Sequence, residues 1–167
     1  MSDWRDLAHF MYGRGFWYAD PLKEIEGLGE EQLYWVPDPN SFCILWHVGH
    51  IAHRERVHIG IFLQGLRGDI MPAQYDAFGT KWCSPEEVRQ SVGPVEEVLA
   101  WVRNVRQKSH AYIDSLSDGD LFRVLPASEG GLSVAHWLFI TTAHTALHLG
   151  RIQFLRALVE RKHDRAC

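Results

Sequence analysis

Ten histidines in 167 residues are the side chains to examine first for chemistry. Imidazole titrates near neutrality and is the commonest metal ligand, so the spacing of these rings decides whether they act together. His144 and His148 form H-x-x-x-H. On a helix, residues four apart lie on one face and can share an ion. At 100° per residue, Trp137, Ile140, Arg151, Leu155 and Leu158 fall within roughly 40° of the pair, which predicts that both rings point into the core. Burying a polar ring without a partner costs about 1–3 kcal/mol. The pair therefore needs hydrogen-bonding neighbours or a shared metal. The Glu of H-E-x-x-H is missing, which excludes a zinc-protease centre.

A second group comprises His47, His50, His53 and His58. These four cannot all face one point of a helix. His50 shares its direction with Cys43, Trp46, Val57 and Ile61, an apolar stripe, and is the best-placed ligand. His47 and His53 diverge by about 60° to either side, as flanking, supporting or surface groups. His50 with His144 and His148 would make a three-nitrogen site with positions left open for water or substrate, the layout of a catalytic metal. Imidazoles suit Zn, Ni, Fe and Cu alike, so the ligands do not choose the metal. Glu55 lies roughly 140° from His50 and is not a base for that site. Cys43 lies about 10 Å along the axis, too far to share the ion. His9, His58, His110, His136 and His163 are expected to be structural or exposed.

Four helical segments would have to position these rings. The first, from about Asp3 to Gly27 or Gly29, is interrupted by Gly13, Gly15 and Pro21, with a fresh start at Pro21. Residues 35–40 read as a loop because of Pro37 and Pro39. The second segment runs from about Ser41 to Gly65, with Asn40 or Ser41 as N-cap. Residues 66–83 form a long loop, which Tyr75, Phe78 and Trp82 pin to the body or line as a pocket. Ser84-Pro85-Glu86-Glu87 is a capping box opening the third segment, and Gly93-Pro94 divides it into a short and a long helix. The fourth follows the Gly130-Gly131 turn, with Ser133 as N-cap, and reaches about Lys162. With no alternating strand pattern, the expectation is all-α: one domain over residues 1–167, an antiparallel four-helix bundle.

Composition narrows the functions. Lys plus Arg number 17 against 21 Asp plus Glu, so the net charge is −4 and no basic nucleic-acid footprint exists. No run of 18 apolar residues spans a membrane. The polar N-terminus shows no secretory signal, and three cysteines without C-x-x-C are not a disulfide framework, so a cytoplasmic chain with reduced thiols is expected.

The run Leu45-Trp-His-Val-Gly-His-Ile-Ala-His-Arg-Glu55, opened by Asn40-Ser41, and the run His144-Thr-Ala-Leu-His-Leu-Gly-Arg-Ile152 resemble the DinB/YfiT-like superfamily of metal-dependent enzymes. The resemblance extends back to Leu22–Gln32. It implies a four-helix bundle, commonly homodimeric, in which a His triad binds one divalent metal, here His50, His144 and His148. His47, His53 and Arg151 are candidates to support the ligands or contact substrate. Family members usually carry Gly-Gln-Ile after the last ligand, whereas this chain has Gly150-Arg151-Ile152. That substitution places a cation where it could anchor an anionic substrate, or merely pack its stem on the core. The implied activity is that of a hydrolase or a small-thiol-dependent transferase, some relatives working with mycothiol or bacillithiol. The implied cofactor is Zn, Ni or Fe, and the partner a small molecule such as a low-molecular-weight thiol. The alternative is a non-catalytic, stress-related dimeric bundle that retains the metal site.

Overall fold

The computed structural model describes residues 3–15, 19–67, 72–79, 83–126 and 131–164. Gly68, Trp82, Gly130 and Cys167, and the side chain of His163, lie outside them. Among the described residues the chain is helical, with one isolated antiparallel bridge between Val124 and Ser133.

The first segment is broken more finely than its length suggests. Helix α1 (Trp4–Met11) is capped by Asp3 and ends before Gly13, whose φ of +89° suits glycine. Two short helices follow, α2 (Pro21–Glu24) and α3 (Glu30–Tyr34). Asp20 caps α2 by accepting from the Leu22 amide at 3.0 Å, and Pro21 occupies its first turn.

Helix α4 (Ile44–Glu55) starts later than the expected cap at Asn40 or Ser41. Asp38 is the reason: its carboxylate accepts from the Asn40 amide at 2.8 Å and its carbonyl from the Ser41 amide at 2.9 Å. Those amides are thereby held in a turn, and Cys43 becomes the N-cap. Helix α4 then continues as a π-helix from Arg56 to Leu63. The Gln64 amide still donates five residues back, to the Ile59 carbonyl, at 3.1 Å.

Residues Ala73–Gly79 form a 3-10 turn against α4. Tyr75 and Phe78 are buried, with ring centroids 4.3 and 5.9 Å from that of Trp101, so this part of the loop is pinned to the body. Helix α5 (Pro85–Val92) has the expected capping box between Ser84 and Glu87. After Gly93, at φ +78°, comes α6 (Val95–Ser115). Helix α7 (Val134–Asp164) begins at Ser133, whose hydroxyl accepts from the His136 amide at 3.4 Å.

Cross-helix contacts give the directions. Residues 47, 50 and 58 of the α4 rod meet 148, 144 and 141 of α7, so these helices run antiparallel. Arg5 meets Leu116 and His9 meets His110, so α1 runs antiparallel to α6. On α7 a buried seam runs through Val134, Leu138, Thr141, Thr145, His148, Ile152, Leu155 and Val159, with Leu149 buried beside it. Its steps alternate four and three, a 3.5-residue repeat rather than 3.6. This corrects the face expected from 100° per residue. Leu155 is buried, but Trp137, Ile140 and Leu158 are only half-buried and Arg151 is exposed. A drift of about 20° per heptad, summed over a helix of this length, is enough to rotate the face.

Candidate metal centre

His50 on α4 and His144 and His148 on α7 each bring one nitrogen to within 4.8 Å of the others. His50 and His148 are buried, whereas His144 is half-buried. The His50 and His144 Nε2 atoms are 3.2 Å apart.

The orientation of each ring has a cause. His50 Nδ1–H donates to the Phe78 carbonyl at 2.5 Å, which leaves Nε2 as a lone pair facing α7. Gly49 permits this contact: a Cβ there would overlap the fully buried Phe78 ring. Trp46 stacks on His50 with centroids 4.4 Å apart and planes 14° from parallel, while its Nε1–H donates to the Ala77 carbonyl at 3.0 Å. One 3-10 turn thus aligns both residues of α4. His148 Nδ1 lies 2.9 Å from His47 Nδ1, so a buried neighbour fixes that ring as well.

Burial pulls His148 down to about 2, His47 to about 3 and His50 to about 4. It also lowers His144, helped by the charges of Arg54 and Arg151. All four rings are therefore neutral near pH 7, the state a metal ligand requires. The donor set fits a divalent transition metal: three neutral imidazoles without a carboxylate. The hydrogen bonds among the described residues do not close on themselves, because His144 Nδ1 is buried without a partner among them.

The other candidates fall elsewhere. His47 supports His148. His53 is half-buried, with Nδ1 unpartnered among the described residues, and it abuts Gly79 rather than joining the triad; a Cβ at position 79 would lie 2.6 Å from its Nε2. Arg151 is exposed, and its charge disfavours protonation of His47, His144 and His148. Glu55 is unavailable as a base: its buried carboxylate accepts from Arg106 at 3.0 Å. Arg106 also donates to the Tyr12 and Ala19 carbonyls.

His58, expected to be structural or exposed, is buried beside the site. Its Nδ1–H donates to the Thr141 hydroxyl at 3.1 Å, and that hydroxyl donates to the Trp137 carbonyl at 2.7 Å. Its ring stands edge-on to His144, centroids 6.4 Å apart. The π-helical turn sets this placement. Thr141, one residue short of a turn before His144, was the available sign of a polar seam.

Among curated proteins no sequence matches the chain. The family model of the DinB superfamily matches residues 18–152, a span that includes all three triad histidines. The all-helical fold and this match agree, and the chain belongs to the DinB superfamily.

Proposed function

We propose that the chain is a metal-dependent enzyme in which His50, His144 and His148 hold one divalent transition metal, Zn, Ni or Fe. The observation that carries this reading is the convergence of three neutral imidazoles, with two of the rings oriented by Phe78 and His47. When bound, such an ion supplies Lewis acidity that activates water or a thiol at neutral pH. The chain's own residues do the rest. Phe78 and His47 hold the ligand rings, Trp46 shields the buried side of His50, and half-buried His144 marks the open side. Arg54 and Arg151 place positive charge near that side, which favours a small anionic substrate, and a low-molecular-weight thiol transferase is the preferred activity over a hydrolase.

No helix among the described residues is long and apolar enough to cross a membrane. A cytoplasmic homodimer completes the proposal. Exposed Phe139, Leu147 and Phe154 on α7 support the dimer, and sedimentation would test it.

The deciding experiment is elemental mass spectrometry of untagged protein beside His144→Ala/His148→Ala. About one transition metal per chain, lost in the double variant, is expected from a three-ligand site. Turnover of a thiol conjugate rather than simple esters or amides then identifies the transferase. Absence of metal in the reconstituted parent protein overturns the reading and leaves a non-catalytic bundle.

A further inference from the structure

The α1–α6 seam carries histidines that the metal centre does not use. His9 is buried, with Nε2 2.6 Å from Asp114 Oδ1 and Nδ1 2.8 Å from His110 Nδ1. An ionised carboxylate only accepts, so His9 Nε2–H donates to Asp114. In the neutral ring, His9 Nδ1 is then a lone pair, and His110 Nδ1–H donates to it. The relay leaves His110 Nε2 as an acceptor with no partner among the described residues. His110 and Asp114, one turn apart on α6, border a cleft of about 480 Å³ together with Tyr12, Arg14 and Arg103.

The charges around this cleft are not equally free. Arg106 is committed to Glu55 and to two carbonyls. Asp20 is committed to the start of α2. Arg14 makes only a loose 3.7 Å contact with Asp114, whose other oxygen is held by His9. Arg103 is exposed and has no partner among the described residues. The uncommitted charge is therefore positive, and it stands beside a single directed acceptor. A simple anion satisfies the arginines but offers His110 nothing. An anion that also carries a hydroxyl satisfies both.

We propose that this cleft is a second ligand site, separate from the His50–His144–His148 centre, that takes a small hydroxy-carboxylate. Arg103 and Arg14 face the carboxylate, and the ligand hydroxyl donates to His110 Nε2. His9 and Asp114 act through His110, as positioning residues that hold it in the accepting tautomer. The cleft volume falls in the range of small-molecule sites.

The test is nitrogen-15 histidine NMR on the full chain as purified, titrated with glycolate and, in parallel, with acetate, which lacks the hydroxyl. In the free protein His110 Nε2 should read as an unprotonated ring nitrogen. Glycolate should move that signal saturably and bind about three- to tenfold more tightly than acetate, the worth of one net hydrogen bond. R103Q, at an exposed position that leaves the fold intact, should weaken both ligands. H110Q should erase the preference between them. A protonated His110 Nε2 in the free chain, equal binding of the two acids, or glycolate binding unchanged in R103Q overturns the proposal. So does a response confined to His50, His144 and His148, which would place the anion at the metal centre.

Discussion

Two antiparallel helix pairs in this bundle each hold a histidine contact of nearly the same length. His47 meets His148 at 2.9 Å between α4 and α7, and His9 meets His110 at 2.8 Å between α1 and α6. Their surroundings differ. The α4–α7 seam holds aromatic rings, Thr141 and Thr145, and no carboxylate among the described residues joins its histidine group. The α1–α6 seam holds Asp114 against His9, with Arg14 at its edge, and the buried Arg106–Glu55 pair beside it ties α6 to α4. Rings without an acid beside them leave lone pairs aimed at one point. Rings with an acid beside them form a directed hydrogen-bond chain. Pairing distance alone thus says little about what buried histidines do; the nearest fixed charge decides it.

The comparison breaks most sharply at Glu55. E55Q leaves the buried Arg106 guanidinium uncompensated, and urea denaturation should show a loss of about 3–5 kcal/mol. A loss under about 1 kcal/mol would mean that this pair does not hold α6 against α4 beside the α1–α6 seam. The next largest effect separates the supporting histidines. H47A should weaken metal binding by about 10–100-fold in a chelator competition, because His47 orients a ligand ring. H9A, in the other seam, should leave it unchanged, and equal losses in the two variants would erase the distinction. The third test is in pH, and it reads the neutral rings as a group. His47, His50 and His148 have folded pKa values of about 3, 4 and 2, below the ordinary 6.5. Below pH 6.5 the unfolded chain takes up protons that the folded chain refuses. Their stabilisation is therefore complete above pH 6.5 and declines as pH falls, each ring by up to about 1.4 kcal/mol per unit. Thermal melts of metal-free protein should drop between pH 6.5 and 5, and more gently in H148L. A melting temperature that stays level across that window would show that these rings are not buried neutral.

Much of this was legible along the chain. The i, i+4 spacing puts His144 and His148 on one face, and the apolar company of His50 turns it inward; the structure brings the three together. Ser84 and Glu87 announce their capping box, and Gly93-Pro94 announces a break, because both signals are local. What escaped depends on partners remote in sequence or on a changed helical period. The 3.5-residue seam of α7 pushes Arg151 out and draws Thr141 and Thr145 in. Asp38 takes the amides that Asn40 or Ser41 would have used to begin α4. The His47–His148 contact pairs residues 101 positions apart, and no spacing rule reaches it.

The π-helical stretch from Arg56 to Leu63 has a consequence for how this site can vary. Such a stretch behaves as one stored extra residue, a slack turn between two rigid halves of a rod. His47 and His50 lie before it, and His58 lies inside it. Removing one residue from this stretch would let the slack turn wind back into α-helix. The segments on either side would keep their faces, while His58 and the other residues inside the stretch would shift round the axis. The fold therefore carries a built-in joint at which the neighbours of the centre can be exchanged by insertion or deletion, leaving its histidines in place.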